Sequence, residues 1–203
     1  MEYYELHPET PQLRFINKAI ERLKTGGVII YPTDTIYGLG CNIYEKSALE
    51  RIFSIKRETG TKLLSFVCAD LKDISKYALV SDYAYRVMKR LLPGPYTFIL
   101  PAAKQVPKKL WSKRKTIGIR VPDNPIALKL TQELGNTLIS TSVTYRKGEV
   151  LSDPFEIKNI FNSQVDLMLA SGKLVGDPSS IIDLSGESPE IIRKGAGDVS
   201  LFQ

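Results

Sequence analysis

At 203 residues and 43% hydrophobic content, the chain is long enough to bury one substantial core, so a single domain over 1–203 is expected. No apolar run approaches the roughly 18 to 20 residues that span a bilayer. The opening Met1-Glu2-Tyr3-Tyr4-Glu5 lacks the basic and apolar regions of a secretory leader, which excludes a membrane role and predicts a cytoplasmic location. The formal charge of +6 is unevenly placed: residues 101–120 carry Lys104, Lys108, Lys109, Lys113, Arg114, Lys115 and Arg120 with no acid, either a bias toward anions or a solvated loop.

In chain order, Leu13, Ile16, Ile20 and Leu23 recur at helical spacing up to Lys24-Thr25-Gly26-Gly27, which predicts a helix over about 11–24. Val28–Tyr31 is a short β-branched run that Pro32 ends, as a buried strand would. Ala48, Leu49, Ile52 and Phe53 restore the helical period as far as Lys56-Arg57, and Leu63–Cys68 reads as the next buried strand. Ser81-Asp82 can cap a helix carrying Ala84, Val87, Met88 and Leu91, after which Pro93-Gly94-Pro95 turns the chain into a strand over Tyr96–Leu100. A strand over Thr116–Val121 leads through Pro122-Asp123-Asn124-Pro125 into a helix that ends at Gly135, and Thr137–Thr141 follows as a strand. Asp153-Pro154-Phe155-Glu156 opens a further helix with a cap, a proline at the first helical position and a glutamate three residues on. Val165–Leu169, Ser180–Leu184 and Ile191–Arg193 complete the strands. This alternation predicts an α/β fold: an open twisted sheet with packed helices, mixed in direction where the later strands crowd together.

Several chemistries are excluded at this level. The one histidine, His7, sits in a polar N-terminal segment, far from any nucleophile pattern, so a His-based hydrolase is not expected. No Gly-x-x-x-x-Gly-Lys-[Ser/Thr] loop occurs, and Gly38-Leu39-Gly40 and Gly195-Ala196-Gly197 each lack the third glycine of a dinucleotide fingerprint. Cys41 and Cys68 lie within or beside apolar sequence with no Cys-x-x-Cys partner, and both read as buried thiols; no metal-ligating side chains are assigned. A bound phosphate would have to be held by scattered Lys, Arg, Ser and Thr side chains, which suits chemistry driven by positioning and charge stabilisation.

The positive signals lie at strand ends. Pro32-Thr33-Asp34-Thr35-Ile36-Tyr37-Gly38-Leu39-Gly40 begins where a strand stops, the place where open α/β sheets put their ligands; its hydroxyls either line a cleft or bond the local backbone. Lys56-Arg57 closes a helix, where cations favour the dipole with or without a ligand. Thr116, Gly118 and Arg120 share one strand face, Ser140-Thr141-Ser142 brings hydroxyls to another strand end, and Arg193 follows the last apolar run. Together these predict a basic cleft built from Lys56, Arg120, Ser142 and Arg193.

In their joint order, the Pro32–Gly40 segment, Pro93-Gly94-Pro95-Tyr96-Thr97, Ile119-Arg120-Val121-Pro122, Ser142, Ser179-Ser180-Ile181-Ile182-Asp183 and Ile192-Arg193-Lys194-Gly195 resemble the YrdC-like proteins over nearly the whole chain. That family includes the L-threonylcarbamoyl-adenylate synthases of tRNA modification. The resemblance implies a YrdC-like sheet with a concave basic face that binds ATP, L-threonine and bicarbonate, and a nucleotidyltransferase that makes threonylcarbamoyl-AMP and pyrophosphate. It gives Lys56, Arg120 and Ser142 catalytic roles. Thr35, Arg120, Ser142 and Ser179 resemble the threonine-contacting set; Lys56, Arg57, Thr116, Thr144, Ser152 and Arg193 resemble the nucleotide-contacting set, with Mg²⁺ accompanying the triphosphate. The synthases carry Lys-x-Arg where this chain reads Lys56-Arg57-Glu58, Ser-x-Asn where it has Ser142-Val143-Thr144, and a histidine near the position of Val67. Those differences resemble the YciO-type subgroup. They keep open a second expectation, a non-catalytic or differently specific relative that binds double-stranded RNA or tRNA through the 101–120 cations.

Overall fold

A computed structural model of the chain describes residues 1–59, 64–110 and 112–203, with the side chains at 57–59, 109 and 147 outside the description. The elements run β1 (Glu2–Glu5), α1 (Leu13–Lys24), β2 (Val28–Tyr31), β3 (Gly38–Asn42), α2 (Lys46–Thr59), β4 (Ser65–Val67), α3 (Leu71–Ile74) and α4 (Asp82–Leu91). There follow β5 (Tyr96–Pro101), β6 (Thr116–Arg120), α5 (Pro125–Leu134), β7 (Leu138–Ser142), α6 (Pro154–Phe161), β8 (Leu167–Ala170), β9 (Ser180–Asp183) and β10 (Glu190–Arg193).

Local chemistry sets the helix ends. Ser81 accepts from Ala84 N at the start of α4, Asn124 Oδ1 from Ile126 and Ala127 N at the start of α5, and Asp153 Oδ1 from Phe155 N at the start of α6. Gly135 leaves α5 at φ 74°, a left-handed conformation that carries no Cβ penalty in glycine.

The described strands form one ten-stranded sheet in the order β1-β8-β2-β3-β7-β4-β6-β5-β9-β10. It is mixed throughout, and not only where the later strands meet: β2/β3, β3/β7, β4/β7, β5/β6 and β9/β10 are antiparallel, while β1/β8, β2/β8, β4/β6 and β5/β9 are parallel. The early antiparallel pair arises because Gly38–Asn42, which the sequence reading assigns to no element, returns as β3 beside β2.

Side-chain alternation divides the core between the two faces of the sheet. Val28, Ile30, Phe66, Ile119, Ile139 and Met168 pack in the larger cluster. Ile29, Tyr31, Val67, Leu138, Leu167 and Leu169 pack on the other face, where Ile16, Ala19, Ile20 and Leu23 of α1 and Ile126, Ala127, Leu130 and Leu134 of α5 cover them. Further along that second face the strands carry small and polar residues instead. The register places Gly40, Ser140, Ser65, Gly118 and Ile99 in one row across five strands. This row is the floor of a depression that the helices leave open. No described helix is long and apolar enough to cross a membrane, and Cys41 and Cys68 are buried.

Candidate functional site

The depression is a cavity of about 260 Å³. Its lining follows from strand parity: Ser65 and Val67, Thr116, Gly118 and Arg120, and Ser140 and Ser142 each continue one face of their strand. Phe53, Leu64 and Leu110, outside that row, add apolar side chains to the lining, so the cavity joins a hydroxyl-rich floor to a hydrophobic side. The Tyr31 ring lies over Gly38 and Gly40 and joins the lining: a Cβ on either glycine would come within 3.0 Å of it. The Tyr31 hydroxyl donates to Ser140 Oγ at 2.7 Å, and burial raises its pKa to about 12, so it remains a neutral donor.

Two guanidinium groups face this space. Arg120, at the end of β6, donates from Nη2 to Asp34 Oδ1 at 2.8 Å and to Thr35 Oγ1 at 3.2 Å. Arg193, at the end of β10, donates from Nε and Nη2 to Ser179 O at 3.0 and 2.7 Å, and from Nη2 to Ser179 Oγ at 3.3 Å. Ser179 Oγ also meets Thr97 Oγ1 at 2.8 Å. The Arg193 pKa is lowered first by burial and then by repulsion from Arg120, so the two cations feel each other across the cavity. Guanidinium nevertheless stays charged in any protein setting, and a pair of neighbouring cations in a partly dry cleft is an anion site. The strand-to-loop approach at Arg193 is tight: a Cβ on Gly195 would overlap Pro178 O, so a glycine is needed where the chain turns back over Ser179.

Of the residues expected from the sequence, Thr116, Arg120, Ser142, Ser179 and Arg193 line the cavity, and Thr35 reaches it through Arg120. Lys56 and Thr144 stand behind this lining among the described residues: Lys56 Nζ donates to Ser142 O at 3.0 Å and to Thr144 Oγ1 at 2.7 Å. Lys56 thereby fixes the backbone of Ser142, whose other side faces the cavity. Ser152 is placed further out, its carbonyl accepting from Leu174 N at 3.1 Å. Val67 lies in the lining, in register with Arg120. Arg57 and Glu58 close α2, and their side chains lie outside the described residues. Sequence reasoning missed Asp34, Tyr31 and Thr97; for Asp34 the signal was present, an acid between two hydroxyls at a strand end.

Burial lowers the Lys56 pKa to about 8 from an ordinary 10.5. The unfolded chain then binds more protons than the folded one between those values, so this group's contribution to stability is lost as pH falls through about 8 and recovered as pH rises toward 10.5. Urea midpoints measured from pH 7.5 to 9.5 are expected to rise more for the native protein than for Lys56→Met. Parallel profiles would refute this.

Comparison with known proteins places this geometry. A family model named Sua5/YciO/YrdC, described as telomere recombination, matches residues 21–195. The crystal structure of Escherichia coli YciO superposes with a TM-score of 0.95 at 45% identity, covering 100% of both chains. A threonylcarbamoyl-AMP synthase of Chromobacterium violaceum is 34% identical over 187 residues, 92% of this chain and 96% of its own. The crystal structure of P. abyssi Sua5 complexed with L-threonine superposes with a TM-score of 0.88 at 25% identity, over 96% of this chain and 58% of that one.

Proposed function

The chain belongs to the Sua5/YciO/YrdC family, and from that premise we propose that it is a threonylcarbamoyl-AMP synthase acting on ATP, L-threonine and bicarbonate. The observation that carries this reading is the presence of Arg120 and Arg193 in the lining of one cavity together with the hydroxyls of Thr116, Ser142 and Ser179. The amine of threonine and bicarbonate condense to a carbamate with loss of water, and a carbamate oxygen attacks the α-phosphorus of ATP. The bond from that phosphorus to the bridging oxygen breaks, and pyrophosphate leaves. Such a reaction needs no protein nucleophile; it needs cations and donors where charge gathers. In this reading Arg120 anchors the amino-acid carboxylate, Ser142 and Ser179 orient the amino acid, and Arg193 and Thr116 meet the phosphates. Lys56, Arg57, Thr144 and Ser152 serve the nucleotide side, and Lys56 also holds the Ser142 carbonyl. Among the described residues no group of three His, Cys, Asp or Glu side chains could hold a metal ion. Mg²⁺ would accompany the triphosphate, held by phosphate oxygens and water, and would offset its charge.

Pyrophosphate release with ATP, Mg²⁺ and bicarbonate is expected to depend on added threonine. Release no higher with threonine than without it would sink the reading.

A second reading, binding of tRNA or double-stranded RNA, is favoured by one observation. Lys104, Lys108, Lys113, Arg114 and Lys115 are all exposed on the segment whose Leu110, Ser112 and Thr116 line the cavity. Phosphate contacts from these side chains would make affinity fall with salt, by a slope of about 0.7 to 0.9 per contact. Replacing Lys108, Lys113 and Arg114 with glutamine should then reduce the slope by about 2 to 3. An unchanged slope would remove the segment from any RNA interface.

A further inference from the structure

The segment Thr33-Asp34-Thr35 holds Arg120 by one nitrogen only. Thr33 Oγ1 donates its single proton to Ile36 O at 2.6 Å, so in its 3.1 Å contact with Thr35 Oγ1 it must be the acceptor. Thr35 thus spends its own proton on Thr33, and its lone pairs receive Arg120 Nη2. Asp34 Oδ1 takes the same nitrogen. Arg120 Nε and Asp34 Oδ2 are buried with no partner among the described residues, and Arg120 Nη1 makes no bond there either, although a guanidinium and a carboxylate can close a two-point fork. The side chains of Arg120 and Asp34 are only 11% and 9% exposed, so the ion pair sits in a poorly screened setting.

The second cation is held differently. Arg193 donates to Ser179 O and Oγ, both neutral acceptors, and keeps its full charge toward the cavity. The two guanidiniums therefore offer two unlike anion sites. An anion at Arg120 meets a cation already offset by Asp34, and each extra negative charge it brings is repelled by that carboxylate. An anion at Arg193 meets no such opposition from its hydrogen-bond partners.

We propose that Asp34 is a positioning and charge-setting residue: it holds Arg120 at Nη2 and fits that end of the cavity to a singly charged carboxylate, leaving doubly charged phosphate to Arg193. This rests on the reading of the cavity as an amino-acid and nucleotide site, and it adds the residue that decides which anion goes where. Asp34 acts through Arg120 and is not a catalytic residue.

The test is calorimetric titration of L-threonine and of inorganic phosphate, at a pH where phosphate is doubly charged, into the native protein, Asp34→Asn and Thr35→Val. Asp34→Asn is expected to weaken threonine by about fivefold or more and to tighten phosphate by about threefold, moving the ratio of the two affinities by more than about tenfold. Thr35→Val, which keeps the carboxylate, should weaken threonine and leave phosphate within about twofold. A ratio in Asp34→Asn within about threefold of the native value, an equal loss of both ligands, or a native protein that binds no threonine would each overturn the proposal. A gain in phosphate affinity in Thr35→Val would do the same. Should Asp34→Asn fail to fold, Thr35→Val decides alone, and native threonine affinity in it refutes the positioning role. None of these outcomes depends on pyrophosphate release. A protein that binds threonine with this selectivity and releases no pyrophosphate would sink the synthase reading and leave this one standing.

Discussion

Arg120→Ala is expected to lower threonine-dependent pyrophosphate release by at least about 100-fold, the usual cost of deleting one donor from a preorganised charge site. It should also destabilise the fold by about 3 to 5 kcal/mol, because removing one partner of a buried ion pair strands the other. The stranded group is Asp34, whose Oδ1 would lose its 2.8 Å contact while Oδ2 already has no partner among the described residues. The two losses can be separated. In Arg120→Ala combined with Asp34→Asn, most of the stability should return while the activity does not. Urea denaturation and pyrophosphate release on both variants provide the check; activity restored along with stability would show that Arg120 matters for folding alone.

Arg193→Ala should act on the other substrate. Its Nε and Nη2 grip Ser179 O, and its charge faces the cavity beside that of Arg120. Its loss is expected to raise the KM for ATP by about tenfold or more, since a charge-assisted contact to phosphate is worth about 1.5 to 3 kcal/mol. The affinity for threonine should stay within about threefold. Arg193→Lys should recover only part of the ATP effect, because an ammonium cannot reproduce the two-nitrogen grip on one carbonyl. If threonine affinity falls as far as ATP affinity, the two guanidiniums do not divide the substrates.

Much of this arrangement was legible in the sequence. The strands at Val28–Tyr31 and Tyr96–Pro101 and the helices over 82–91, 125–134 and 154–161 announce themselves through periodicity, caps and prolines. β1 and β3 do not. Glu2-Tyr3-Tyr4-Glu5 is a polar edge strand, and its order comes from pairing with β8 at the far end of the chain, a contact that no local pattern carries. Gly38-Leu39-Gly40-Cys41-Asn42 gives no strand signal because glycine weakens strands in isolation. Here the missing side chains make room for Tyr31, and that requirement is visible only once β2 and β3 lie side by side. The site follows the same division. Arg120, Ser142, Ser179 and Arg193 stand at strand ends and could be picked out by position. That Lys56 turns to Ser142 O and Thr144, and that Asp34 takes Arg120, depends on side-chain directions across more than 80 residues of separation.

The central claim is that this cavity joins the carbamate of threonine to AMP. The most direct measurement supplies radiolabelled bicarbonate with ATP, Mg²⁺ and L-threonine, and separates the nucleotides by chromatography. The label is expected in a new adenylate that forms only when threonine is present and is lost in Arg120→Ala. Label confined to unreacted bicarbonate, with ATP unchanged in the native protein, would contradict it.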